Sequence, residues 1–409
     1  MNQPSVRYHA MDALRAFALL LGIVYHSAES FEPHHDNWAI NDCNPSFLLS
    51  IFRHASHSFR LEMFFLMAGF FAFMVYHRRG ARSFIWGRIN RILIPLVVGW
   101  FLLFPIVGYV WLWGHSISGR LDLMDVPAEF QSFPPWKLII GVIVSGEFMG
   151  NLFDLLHLWF LHQLLVIYTI VLAVRSVWVR WIDLHERKIH WIDIWFRRLI
   201  GSRWRLIIFI IPTMSFLWLM DNWTVDTPRE SLIPHMPTTL LYGGFFLLGW
   251  FLYRNKDCLD SFICGWIGYL IVAFLLSPLS WALLGLMNNE WAWQNILLKR
   301  FVYQLVYSMM MWCYVIGVTG LFMRLFKKEN PVWRYIADSS YWLYLIHLPL
   351  VVALQVALAP IDWPSFLKFS LILLIVFPIL FITYHYLVRS TFIGAQLNGR
   401  RYPFEPLIF

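Results

Sequence analysis

Long apolar runs constrain this chain more than any other feature of its sequence. A helix needs about 20 residues to cross the hydrocarbon core of a bilayer, and apolar runs of roughly that length recur along all 409 residues. The runs lie at 12–31, 58–77, 92–113, 155–174, 205–221, 238–253, 261–287, 300–323, 335–358 and 366–388. The sequence therefore predicts an all-α, polytopic integral membrane protein with about ten transmembrane helices.

The composition supports the same class and excludes others. Hydrophobic residues make up 59% of the chain and charged residues only 14%, which leaves too little polar surface to cover a soluble protein of this size. The 23 Trp and 17 Tyr residues also fit a protein in a lipid bilayer, because such rings collect where hydrocarbon meets headgroups. The basic residues lie mostly in short loops rather than on one surface, so no nucleic-acid partner is expected.

The positions of the Lys and Arg residues predict the orientation of the helices. One set of alternating loops, with the ends of the chain, holds 23 of them and the other set holds 8. Because cytoplasmic loops carry the excess positive charge, both termini are predicted to be cytoplasmic. We expect a single transmembrane domain over 1–409, with an outer loop at about 114–154 and a basic cytoplasmic loop at about 175–205. Residues 114–135 fit an ordinary long loop better than a lid over a substrate.

The four cysteines do not suggest a cross-linked or metal-binding protein. Cys43, Cys258, Cys264 and Cys313 show neither a CxxC motif nor Cys/His ligand spacing, so neither a disulfide nor a metal site is expected. The first apolar run carries an Arg and a His and is not followed by a small-residue cleavage signature. We therefore interpret it as a retained span rather than a signal peptide.

Ionisable residues form a stripe along this first run. Arg15 and His26 are eleven residues apart, so at about 100° per residue they face the same side of the helix, ~16 Å apart along its axis. Gly22 falls on the same line, and Glu29 continues it. Taken singly, Arg15 fits a side chain that reaches the inner headgroups and His26 fits a packing residue. Together on one face they favour a function.

Neighbouring runs supply charged residues at matching depths. Glu62 lies about one turn inside the outer boundary of the second run, near the expected depth of His26. Arg88 and Arg91 begin the third run at the depth of Arg15, and three converging guanidinium groups suit phosphate groups. The alternative for the arginines is an ordinary excess of positive charge on the cytoplasmic side.

Three further histidines lie within or beside apolar runs. His157 and His162 are at the outer end of the fourth run, and His347 is in the middle of the ninth. Each alone fits a structural residue. Pro349 follows His347 at i+2 and lacks the N–H that a helical carbonyl needs, which leaves a free carbonyl nearby. His347 therefore fits pore lining and packing equally well.

The motifs that carry these residues resemble a known family. Five of them occur in order over nearly the whole chain: "LRAFALLLGIVYH", "FRLEMFFLMAGFF", "RINRILIP", "LHLWFLHQLL" and "YWLYLIHLPL". Together they resemble the acyltransferase 3 family of multi-pass membrane O-acyltransferases, most closely its glucan-succinylating branch. The family's two signatures are matched by Arg15 with His26 and by Arg88 with Arg91. One departure is Ala68, where many relatives have Ser.

The resemblance implies an enzyme of the bacterial cytoplasmic membrane. It would take an acyl group from cytoplasmic acyl-CoA and pass it to a hydroxyl of a glycan outside, with the three arginines binding CoA. His26 would act as the general base, since an imidazole titrates near neutrality. Glu62 or Glu29 would orient His26, while His157, His162 and His347 would line the substrate path. No Ser or Cys stands in a convincing nucleophile context, so direct transfer is favoured over an acyl-enzyme.

A carrier is the alternative from another class. Charged residues within spans also mark the paths of transporters and flippases. On this alternative the protein would move an anionic lipid or an acyl-carrying substrate. An enzyme would release free CoA when the acceptor is present, whereas a carrier would not. The acyl group is either succinyl or acetyl. Succinyl needs a cationic contact for its carboxylate, which Arg53 and Arg60 near the outer boundary could supply.

Overall fold

The chain is helical throughout the part that the structure describes. The structure, a computed structural model, describes residues 8–33, 38–124, 126–145, 154–182, 189–287 and 295–404. These residues contain no strand. The helices are α1 His9–Ala28, α2 Phe47–His57, α3 Arg60–Arg88, α4 Ile94–Ser118, α5 Pro135–Ser145, α6 Trp159–Val177, α7 Ile189–Gly201, α8 Arg205–Trp218, α9 Met236–Arg254, α10 Leu259–Phe262, α11 Trp266–Met287, α12 Ile296–Leu325, α13 Pro331–Leu358, α14 Ser365–Thr383 and α15 Phe392–Asn398. The predicted all-α class is confirmed.

Most of the predicted spans are recognisable as long apolar helices. Among the described residues, eight helical stretches are long and apolar enough to cross a membrane, and a bent pair formed by His190–Gly201 and Arg205–Trp218 adds a ninth. One of the eight, Phe47–Ser118, is 72 residues long. At ~1.5 Å per residue it far exceeds the ~30 Å of bilayer hydrocarbon, so it has to hold more than one crossing. It contains the second and third predicted spans as α3 and α4, which accounts for the difference from ten.

Helix α1 occupies the centre of the molecule. It packs against α13, α3 and α12 and also contacts α2 and α14. Large apolar side chains on several sides of α1, among them Met11, Leu14 and Ile23, are fully shielded from solvent. The ionisable residues of this helix therefore face protein rather than lipid, which is how a membrane protein accommodates charge at that depth.

Glycines bring α3 and α9 into backbone contact. A Cβ atom added at Gly69 of α3 would overlap the carbonyl of Phe246, and one added at Gly249 of α9 would overlap the carbonyl of Leu66. Small residues allow this close approach, which maximises packing where lipid supplies no hydrophobic driving force between helices. The contact fixes α3, and with it Arg60 and Glu62, against the rest of the bundle.

The chain bends between α3 and α4 through two irregular segments. Gly80, with φ at 75°, interrupts α3 in a conformation that only glycine adopts without strain. A π-helical segment, Ile89–Leu93, then joins α3 to α4. Such segments are frequent at functional sites. This one begins directly after Arg88 and contains Arg91.

The two predicted long loops both contain a helix. The predicted outer loop includes α5, which packs against α4. The predicted basic loop includes α7, which bends by 106° into α8 and is held by an ion pair of 2.8 Å between Asp193 and Arg254. Parts of both loops, at 146–153 and 183–188, lie outside the described residues.

Candidate active site

Three histidines meet at one end of α1. The ring of His26 lies 5.3 Å from the ring of His347 in α13, and His347 lies 5.4 Å from His157. Tyr344 borders the group, with its ring 5.7 Å from His157. His347 is 1% and His157 is 7% exposed, whereas His26 is partly exposed. We call His26, His157 and His347 the histidine cluster.

His26 is held by its surroundings without a hydrogen bond to its ring. The imidazole stacks on Trp38, with ring centroids 5.8 Å and planes 7° apart. Gln355 fixes this stack from α13: it accepts from the indole N–H of Trp38 at 3.0 Å and donates to the backbone carbonyl of His26 at 2.9 Å. The His26 ring forms no hydrogen bond to any described residue, and its Nδ1 is buried. The ring is thus oriented and yet free to accept a proton.

Proline in α13 explains how His157 is bound. Pro349 has no N–H to offer the carbonyl of Leu345 four residues earlier. That carbonyl instead accepts from Nε2 of His157 at 2.9 Å. Nδ1 of His347 similarly donates to the carbonyl of Tyr344 at 2.6 Å. Because a carbonyl only accepts, the hydrogen of each neutral ring is fixed on that nitrogen.

Each ring of the histidine cluster has an unused nitrogen. In the part of the chain that the structure describes, Nε2 of His347 and Nδ1 of His157 are buried without a hydrogen-bond partner, like Nδ1 of His26. Buried polar atoms are usually paired, so unpaired ones require an explanation. In the neutral rings of His347 and His157 these nitrogens are acceptors. A ligand with hydroxyl groups would supply the missing donors.

A strained turn presents His157 to the cluster. Leu156 has φ at 51°, a conformation that is costly for a residue with a branched side chain. The carboxylate of Asp154 accepts from the Leu156 N–H at 2.8 Å, and the Asp154 carbonyl accepts from the indole of Trp100 at 2.7 Å. Burial raises the pKa of the Asp154 carboxyl group above its ordinary value, although the Leu156 N–H opposes this shift. Strain of this kind concentrates at functional sites.

The other two carboxylates that the sequence singled out are not joined to His26. Glu29 begins a 3₁₀ turn after α1 and pairs with Arg53 at 3.4 Å, while Glu32 pairs with the same guanidinium at 2.8 Å. Glu62 is fully buried, and neither of its oxygens has a hydrogen-bond partner among the described residues. It interacts electrostatically with Arg60 and Tyr242. Similar depth therefore does not bring Glu62 into hydrogen bonding with His26.

His162 is separate from the histidine cluster. It lies in α6, is half-buried and is near the backbone of Leu232. Five residues after His157, it is turned by roughly 140° about the helix axis. No ring contact joins it to the cluster in the described part of the chain.

Three arginines gather at the other end of α1. Arg15 pairs with Asp12 at 3.5 Å and is one-third exposed. Arg88 lies between the rings of Phe84 and Tyr168, at 4.6 Å and 4.8 Å. Arg91 is close enough to Arg15, Arg79 and Arg88 to be repelled by all three. Such a set is unfavourable by itself and suits a polyanionic ligand.

Two residues that shape the site were not identified from the sequence. Trp38 lies in an irregular segment, where no periodicity indicates a role. Gln355 is a single amide in the apolar run "VVALQVAL", and such a polar residue within a span was a usable signal.

The chain matches the family model described as an acyltransferase domain over residues 8–385. It is also similar to relatives named glucans biosynthesis protein C from Salmonella paratyphi A, Salmonella agona and Salmonella enteritidis. Each is 23% identical over 422 aligned positions, which cover 97% of this chain and 96% of the relative. No solved structure matches the chain.

Proposed function

This chain belongs to the acyltransferase family, and on that premise we propose that it moves a succinyl or acetyl group from cytoplasmic acyl-CoA to a hydroxyl group of a glycan across the bacterial cytoplasmic membrane. The name of the Salmonella relatives supports a glucan as the acceptor. One observation carries the proposal: the His26 imidazole is oriented by Trp38 and Gln355, and no described residue forms a hydrogen bond to its ring.

The donor would bind at the opposite end of α1. Arg15, Arg88 and Arg91 supply positive charge for the phosphates of CoA, and the predicted orientation puts them at the cytoplasmic face. Arg15 and His26 are eleven residues apart in one helix, or ~16 Å. Gly22 adds no side chain between them, and the Arg60 side chain lies beside it, so the proposal places the thioester along this part of α1, next to Arg60.

His26 would serve as the general base of a direct transfer. The acceptor hydroxyl bonds to the thioester carbonyl carbon while His26 takes its proton. The carbon–sulfur bond then breaks, and His26 returns the proton to the CoA thiolate. Proton transfer of this kind contributes about 10²–10⁴-fold in rate. Neither Glu62 nor Glu29 is hydrogen-bonded to His26, so the proposal assigns the base role to His26 alone.

Release of free CoA tests the reaction. The purified protein is given succinyl-CoA or acetyl-CoA, with and without a glucan acceptor. We expect acceptor-dependent release of CoA, and we expect His26→Ala to reduce it about 10²–10⁴-fold. His77→Ala is the matched control, because His77 stacks on Phe73 at 3.8 Å in α3, outside the histidine cluster. Wild-type release in His26→Ala would disprove the base role, and uptake without CoA release would favour a carrier.

A further inference from the structure

Arg60 lies inside the protein close to His26. It is the first residue of α3, is 8% exposed, and stacks on Tyr25, with its guanidinium carbon 4.1 Å from the ring centroid. Its Nη1 is 3.7 Å from where a Cβ atom of Gly22 would stand. Gly22 precedes His26 by one helical turn, about 6 Å, on the side of Arg15. The guanidinium thus faces the stretch of α1 that the thioester has to reach.

The Arg60 guanidinium has no partner in the described part of the chain. No hydrogen bond or ion pair involves its side chain, and Nη1 is buried. Arg53, the neighbouring cation in α2, is different: Glu29 and Glu32 both pair with it. Glu62, two residues after Arg60, is not within ion-pair distance of it. A buried and unpaired charge is costly.

The groups around Arg60 do not supply the missing anion. Tyr25 offers a ring face, and the histidine cluster nearby offers neutral or positive groups. Glu29 and Glu62 are near enough to attract Arg60, but neither carboxylate is within ion-pair distance of it. An anion in direct contact with Arg60 would therefore come from a ligand. Building on the proposed acyl transfer, we propose that Arg60 is a further catalytic residue, whose guanidinium donates hydrogen bonds to the oxyanion that forms when the acceptor hydroxyl attacks the thioester.

The position of Arg60 suits this role. A hydroxyl bonded to His26 and an oxyanion bonded to Arg60 require two hydrogen bonds of ~2.9 Å with the reacting carbon between them. One helical turn separates the two positions along α1. In the step, the hydroxyl oxygen bonds to the carbonyl carbon, the carbonyl electron pair moves to oxygen beside Arg60, and the proton passes to His26. Collapse restores the carbonyl and expels the CoA thiolate, which takes that proton.

Kinetics of Arg60 variants with two donors test the inference. Arg60→Met keeps the length of the side chain without the charge, and Arg60→Lys keeps the charge without the planar fork. The measurements are kcat and KM with succinyl-CoA and with acetyl-CoA, and the affinity for an unreactive CoA thioether. Arg82→Met and Arg82→Lys are the matched controls, because Arg82 is an exposed residue of the same helix.

We expect Arg60→Met to lower kcat about 10²–10³-fold for both donors, as removal of an oxyanion donor does elsewhere. Arg60→Lys should retain part of that activity. Affinity for the thioether should stay within about threefold, because it carries no oxyanion, and both Arg82 variants should keep the wild-type kcat.

Four outcomes would overturn the inference. The first is wild-type kcat in Arg60→Met. The second is a loss confined to succinyl-CoA, which would assign Arg60 to the carboxylate of the acyl group. The third is loss of thioether binding by both variants, which would make the residue structural. The fourth is no CoA release by the wild-type protein, which alone would also disprove the proposed function.

Discussion

At the scale of single residues, unpaired buried groups mark the candidate site. One nitrogen on each ring of the histidine cluster and Nη1 of Arg60 are buried without a hydrogen-bond partner among the described residues. Unpaired buried atoms also occur elsewhere in the bundle, such as Ser308 Oγ and Thr319 Oγ1, but those of the histidine cluster belong to neighbouring titratable rings. A buried donor or acceptor left unpaired costs about 1–3 kcal/mol. The protein therefore bears this cost next to α1, where a substrate with hydroxyl and carbonyl groups can remove it.

The three gathered arginines give a prediction at this scale. We expect Arg88→Ala and Arg91→Ala each to raise the KM for acyl-CoA about 10- to 150-fold, since one charge-assisted hydrogen bond contributes ~1.5–3 kcal/mol. The KM for the acceptor should not change. Arg82→Ala is the control, because Arg82 is an exposed residue of the same bend. A defect in acceptor KM alone would contradict a donor site there.

At the scale of elements, α13 supplies much of the candidate site. It carries His347, the carbonyl of Leu345 that binds His157, and Gln355, which orients His26. Pro349 makes the contact between Leu345 and His157 possible, because it leaves the Leu345 carbonyl without a partner inside the helix. Proline usually weakens a helix. In α13, however, Pro349 allows the helix to bind His157, in the turn before α6.

Replacing this proline tests the connection. Pro349→Ala gives the Leu345 carbonyl an N–H partner within α13, which competes with His157. We expect acyl transfer to fall several-fold while the thermal unfolding temperature stays equal or rises, since a helical hydrogen bond is gained. In a double-mutant cycle, Pro349→Ala and His157→Ala should be non-additive, because both break the same contact. Additive effects would show that the proline acts elsewhere.

At the scale of the whole molecule, the site is divided between two ends of one central helix. The arginines gather at one end of α1 and the histidine cluster at the other, ~16 Å apart. This separation suits a reaction whose donor and acceptor are on different sides of a membrane. The direction of α1 across the membrane is predicted from the distribution of Lys and Arg residues.

Natural cysteines test that direction. Cys43 and Cys264 are both exposed, and the predicted orientation puts Cys43 outside and Cys264 at the cytoplasmic end of the run 261–287. A maleimide that does not cross membranes should label Cys43 in spheroplasts and Cys264 only in inverted vesicles. Cys43→Ser and Cys264→Ser identify each signal. Labelling of Cys264 in intact spheroplasts would reverse the orientation, and the donor site would then face away from cytoplasmic CoA.

The sequence by itself determined the helices and the kinds of residue in each of them. Apolar length and periodicity are local properties, so the all-α membrane class and the span positions could be predicted. The family was also recognisable, because its motifs are short and local. That Arg15 and His26 share one face of a helix follows from their spacing of eleven residues alone.

Only the tertiary structure decided which side chains meet. Depth along a helix predicts the height of a residue in the membrane, but it does not predict which way neighbouring helices turn their faces. Glu62 was expected near His26, but it is His347, which fitted pore lining and packing equally well, whose ring contacts His26. The sequence likewise treated Arg53 and Arg60 alike, whereas carboxylates from the turn after α1 pair with Arg53 and leave Arg60 unpaired. Such distinctions depend on the rotation and packing of helices that are distant in the chain, because a side chain's partners are set by azimuth as well as by depth.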